Sequence, residues 1–180
     1  MEIKDITIQW PLFIGIISMV ILVLGTIADG GSQLQKILFI LGAPILGITA
    51  YADKQKMFTI LQSIATLGAI LAFFQGFPTI KYGLMSTAVI LGLIYLAKTK
   101  YFDTDKWGLV GAVGLVCIAM GFATNAISSP FLFGFFLGIG GLLVAIYSAI
   151  QYFHYKIKIA LIWVILNIIF SISPLLMLIK

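Results

Sequence analysis

The stretch FLFGFFLGIGGLLVAIYSAIQYFHYKIKIALIWVILNIIFSISPLLMLI, residues 131–179, decides the fold. Two apolar segments, each close to the roughly 20 residues that cross a bilayer as a helix, flank the short basic loop from Phe153 to Lys158. The second segment carries Trp163 and Asn167, four residues apart and therefore on one helix face. A similar arrangement, with Gln62 and Thr66 in the matching place, lies about a hundred residues earlier.

Composition extends this reading to the whole chain. Hydrophobic residues make up 62% of the 180 and charged residues 9%, against roughly 25% charged in a soluble domain. Most of the surface must then face lipid. The expected class is all-α, a polytopic membrane protein with seven transmembrane helices in a single transmembrane domain. All eleven basic residues are lysine, so the forked donor that clamps phosphate or carboxylate is missing. The lysines fall in loops, where membrane topology accounts for them without nucleic acid. Cys117, the only cysteine, sits inside an apolar segment and reads as a packing residue.

The polar lead Met1 to Gln9 lacks the positive charge of a signal peptide, so the first apolar segment is expected to remain a helix. The spans expected are Trp10 to Ala28, Leu34 to Ala52, Met57 to Phe77, Ile80 to Ala97, Trp107 to Ala126, Phe131 to Tyr152 and Ile159 to Ile179. The N-terminus and the loops after spans 2, 4 and 6 carry eight lysines, and the opposite face carries Lys36, Lys81 and Lys180. Positive charge collects on the cytoplasmic side, which places the N-terminus in the cytoplasm and the C-terminus outside, in a cell membrane.

Small residues suggest an internal repeat. Gly42-Ala43 and Gly47 in span 2 align with Gly140-Gly141 and Ala145 in span 6. Gly25 and Asp29 align with Gly121 and Asn125, and Gln62 and Thr66 with Trp163 and Asn167. The offsets are 96, 98 and 101 residues. They pair residues 10–77 with residues 107–179, leave residues 80–97 as a linker helix, and orient both units the same way across the membrane.

This 3+1+3 plan resembles the PnuC-type vitamin transporters and the SWEET sugar transporters over the whole chain. The resemblance is one of architecture: no proline here is followed by glutamine, and Trp163 has no tryptophan neighbours at Ala160 or Leu166. It implies two three-helix bundles flanking a central pathway.

No catalytic constellation is present, no carboxylate lies in a span centre, and His154 is the only imidazole, so neither an enzyme, a metal site nor a cofactor is expected. What remains is uncharged polarity in apolar surroundings. Asn167, too short to reach an interface, either bonds a neighbouring helix or lines a polar cavity. The indole of Trp163 needs an acceptor and offers a face for stacking. Gln62 and Thr66 present the corresponding face, although threonine can satisfy itself on its own helix. Asn125, Thr124, Ser148 and Gln151 are weaker versions of this signal; Tyr101 and Tyr147 read as belt or packing residues.

The leading expectation is a transporter or facilitator of a small neutral or aromatic-ring solute, held near the midplane by Trp163, Asn167, Gln62 and Thr66 and exchanged by alternating access. The alternative is a non-catalytic subunit or scaffold of a larger membrane complex, with Gly134 and Gly138 facing a partner helix. The partners expected are the lipid bilayer, a small-molecule solute, and a second copy or a membrane-complex subunit.

Overall fold

The computed structural model describes residues 10–28, 32–74, 77–124, 129–176 and 178. Asp29 and Asn125 lie outside the described residues. Eight helices run through this part of the chain: α1 (Trp10–Ile27), α2 (Gln33–Ala52), α3 (Lys56–Leu71), α4 (Pro78–Lys98), α5 (Tyr101–Thr104), α6 (Gly108–Ala123), α7 (Pro130–Phe153) and α8 (Ala160–Leu176). No strand occurs among the described residues. Helices α1, α2, α4 and α7 are long and apolar enough to cross a membrane, and α3, α6 and α8 are shorter apolar helices.

Local chemistry sets the helix ends. Pro78 and Pro130 occupy the first turn of α4 and α7, where a missing N–H costs nothing. At the start of α2 the Gln35 N–H donates to the Ser32 hydroxyl at 3.1 Å. Two residues past the end of α2, Lys54 adopts φ 58°. There the Lys54 N–H donates to the Tyr51 carbonyl at 3.0 Å and the Gln55 N–H to the Ala50 carbonyl at 2.8 Å. This double bond is the usual glycine-type helix stop, made here with lysine. Lys100 and Lys156, after α4 and α7, take the same left-handed conformation at φ 52° and 60°. Helix α5 is an additional turn inside what reads from sequence as the loop from Lys98 to Lys106.

Six helices close a ring. Each packs on the next in the order α1, α2, α3, α6, α7, α8, and α8 returns to α1. Helix α4 stays outside, against α3 and α6, and buries only Met85, Val89 and Leu96. Small residues allow the closest approaches. A Cβ on Gly140 of α7 would stand 2.8 Å from the Ile118 nitrogen of α6, a separation only glycine permits. Gly138 faces Leu175 of α8, with a Cβ position 2.6 Å from the leucine Cδ2. It is therefore used inside the ring rather than on an outward face for a partner helix, as the subunit alternative had it.

Candidate functional site

Helices α3 and α8 carry the same order of side chains, one turn apart at each step: Phe58, Gln62, Thr66 on one and Trp163, Asn167, Ser171 on the other. The aromatic members meet. Phe58 and Trp163 stack with centroids 4.2 Å apart and 14° between planes, both fully buried. One face of Trp163 is thus taken by Phe58, and its ring is not part of the cavity wall described next. Its Nε1 is buried without a hydrogen-bond partner.

The amides come next. Gln62 and Asn167, both 4% exposed, line one cavity of about 40 Å³ with Leu22, Phe39, Phe122 and Phe170 among the apolar walls. That is room for about three waters. The Asn167 Nδ2 donates to the Trp163 carbonyl at 2.8 Å, which fixes the amide's orientation and leaves Oδ1 as a free acceptor. The Gln62 carboxamide has no hydrogen-bond partner among the described residues. The carboxamide stands at the cavity wall, whereas Trp163 Nε1 is the fully buried polar atom without a partner among the described residues.

The hydroxyls are occupied. Thr66 donates to the Gln62 carbonyl at 2.7 Å and Ser171 to the Asn167 carbonyl at 2.5 Å, each within its own helix. Of the four residues expected from sequence, the structure brings Gln62 and Asn167 to the cavity. Trp163 lies one turn away from it, against Phe58, and Thr66 satisfies itself. Gln62 shares its cavity with Asn167, which lies one turn along α8 from Trp163.

Aromatic rings stand on both sides of the amides. The Phe58–Trp163 stack lies one turn from the amides, towards the end where α2 joins α3 and α7 joins α8, the lysine-rich end. Towards the other end, Phe170 meets Phe39 at 6.5 Å and Phe122 at 6.1 Å. Phe122 also packs on Gly68 of α3, where a Cβ would lie 2.8 Å from its ring.

A second polar centre, at the lysine-rich end, is missed by the sequence reading. The Asp105 carboxylate is 7% exposed and has four donor groups within hydrogen-bond distance. The Tyr101 and Tyr147 hydroxyls each stand 3.0 Å from Oδ2, the Gln151 Nε2 donates to Oδ2 at 2.7 Å, and the Trp107 N–H donates to Oδ1 at 3.0 Å. The two tyrosine hydroxyls also bond each other. Burial, first of all, holds the Tyr101 phenol above its usual ionisation range, and the nearby Asp105 charge adds to this. A signal was available: Tyr101 with Asp105 and Tyr147 with Gln151 are both four apart, so each pair shares a helix face. The two phenols have two protons for three contacts, so when they bond each other only one of them donates to Asp105. Two of the contacts to Asp105, from Tyr101 and the Trp107 N–H, are local to the segment between α4 and α6. Two, from Tyr147 and Gln151, reach α7, so Asp105 anchors that corner of the ring. The centre also touches the amide site, because Tyr147 lies against Phe58 at 5.5 Å.

No group of three or more metal-ligating side chains occurs among the described residues. No family model matches this chain, nor does any curated protein or solved structure.

Proposed function

We propose that this chain is a small membrane carrier or facilitator that moves an uncharged solute past the paired amides of Gln62 and Asn167. The observation that carries this is the Gln62 carboxamide, buried and unpartnered beside a cavity at mid-helix. A helix in lipid has no reason to keep such a group unless something passes or binds there.

Seven spans in a 3+1+3 arrangement fit this function. The ring keeps the same neighbours when α1, α2 and α3 are exchanged for α6, α7 and α8, as a parallel repeat requires. Phe58 and Trp163, Gln62 and Asn167, and Thr66 and Ser171 are each 105 residues apart, which supports a repeat in a register one turn beyond the sequence alignment. Helices α3 and α6, of 16 residues, reach ~24 Å and need local thinning of the bilayer. The lysines favour a cytoplasmic N-terminus.

Alternating access then follows from where the two units touch. The first unit meets the second through Phe58 on Trp163 and Tyr147 at the lysine-rich end, and through Phe39 on Phe170 and Gly68 on Phe122 at the other. Rocking that parts one aromatic contact while the other holds exposes the amides to one side at a time.

A second reading, a non-catalytic subunit of a membrane complex, is favoured by the size of the cavity. About 40 Å³ is far below the few hundred Å³ of an ordinary ligand pocket. A thermal-shift screen of the purified protein against sugars, nucleosides, vitamins and amino acids separates the two. The carrier reading expects one class to stabilise the native protein and not Gln62→Leu, by about 2.7 kcal/mol at a hundred times the dissociation constant. No shift with any class, together with instability of the isolated chain, favours the subunit.

A further inference from the structure

The hydrogen-bonding capacity left open in the cavity is specific. Asn167 has spent one of its two N–H donors on the Trp163 carbonyl and keeps Oδ1 and the second N–H. Gln62 presents both halves of its carboxamide, an acceptor beside a donor. None of the cavity-lining residues carries a charge. The free space, about 40 Å³, accepts three or four non-hydrogen atoms in this conformation.

An ion would find no counter-charge there, and its burial without one is prohibitive. A purely apolar solute would leave the Gln62 carboxamide and Asn167 Oδ1 unpaired. A molecule that satisfies them must offer an acceptor and a donor on adjacent atoms to Gln62, and a further donor to Asn167 Oδ1. A primary amide does this with its C=O and both N–H bonds. An alcohol has one donor, and a carboxylate has none and carries a charge.

We propose that the site selects small neutral amides, of which formamide, acetamide and urea are the sizes that fit. The amide group pairs with the Gln62 carboxamide through two antiparallel hydrogen bonds, and its outer N–H donates to Asn167 Oδ1. The phenylalanines beside it take the remainder of the molecule. This assignment rests on the carrier reading and narrows it.

The test is osmotic swelling of liposomes containing the full chain, followed by light scattering, with protein-free liposomes as the baseline. Vesicles carrying the native protein should swell several-fold faster than the baseline on an inward acetamide or urea gradient, and at the baseline rate on acetate. Asn167→Leu should lower the acetamide rate by about two- to tenfold, the worth of one neutral hydrogen bond. Should that variant fail to fold, N,N-dimethylacetamide on the native protein replaces it: lacking an N–H, it should enter at the baseline rate while acetamide does not. Rapid water entry with acetamide at baseline would overturn the proposal in favour of a water-filled cavity. Transport of a sugar or nucleoside without any amide flux would overturn the proposal and leave the carrier reading standing. Baseline rates for every solute would overturn both.

Discussion

Phe58 and Trp163 stack at 4.2 Å across the ring, one ring from α3 and one from α8, with 14° between their planes. They are the closest aromatic contact between the two groups of three helices, and they lie one turn below the amides. Phe58 is fully buried and also touches Tyr147, so its removal leaves a cavity at the point where both centres meet. Phe58→Ala should destabilise the protein by about 3–5 kcal/mol in a detergent unfolding titration. A loss below 1 kcal/mol would mean the contact does not close the ring.

Helix approach at Gly140 gives a second expectation, with its own control. Gly140→Ala pushes a methyl towards the Ile118 backbone, 2.8 Å away, where nothing flexible can yield. The cost should be about 1–3 kcal/mol. Gly83 of α4 has nothing within 4 Å of its Cβ position, so Gly83→Ala should be neutral or stabilise by up to about 1 kcal/mol. Thermal melts of the two variants in the same detergent should move in different directions.

Four donor groups stand within hydrogen-bond distance of Asp105, two of them, on Tyr147 and Gln151, nearly fully buried. Asp105→Ala strands those donors, and should cost about 3 kcal/mol or more in the same titration. Asp105→Asn keeps an acceptor oxygen and should cost less. Equal effects would show that the hydrogen bonds do not matter.

The phenol of Tyr101 contributes a pH dependence at the alkaline end. Burial disfavours its ionised form, so its folded-state value lies above the ordinary 10 or so of an unfolded tyrosine. The folded state then holds the proton more tightly than the unfolded state. Stability from this group is complete below pH about 10 and is lost as pH rises beyond it. Tyrosinate absorbance should show phenol that resists ionisation above pH 10 in the native protein, and Tyr101→Phe should lower that resistant absorbance by one tyrosine.

Lysine at a left-handed helix stop is costly, since a side chain there crowds the backbone by about 1 kcal/mol relative to glycine. Lys54→Gly and Lys100→Gly should each leave stability unchanged or raise it by up to about 1 kcal/mol, despite the lost charge. A clear loss would show that these lysines hold the helix ends through contacts of their own.

Much of the helix map was legible because lipid-facing helices are written as uninterrupted apolar runs. The expected spans starting at Trp10, Leu34, Ile80 and Phe131 match α1, α2, α4 and α7 to within two residues at each end. Span 3 was expected to reach Phe77, but α3 stops at Leu71, since apolar composition continues past the point where backbone bonding ends. The contact of α3 with α8 through Phe58 and Trp163 was not legible, because Phe58 looks like any other apolar residue until it is seen against Trp163. Asp105 was hidden for a different reason. A carboxylate in a lysine-rich loop reads as solvated, and only the fold brings Tyr147 and Gln151, more than forty residues away, to cover it.

The central claim, that Gln62 faces a passage between two moving units, is tested most directly by its chemical accessibility. Cys117 is the only cysteine, so Cys117→Ala gives a background in which Gln62→Cys is the single thiol. In sealed vesicles of known orientation, a small impermeant thiol reagent should label position 62 slowly from either side, in folded protein, and a transported solute should change that rate. A thiol that reacts from neither side until the protein is unfolded would contradict the account, and Gln62 would then belong to a static interior.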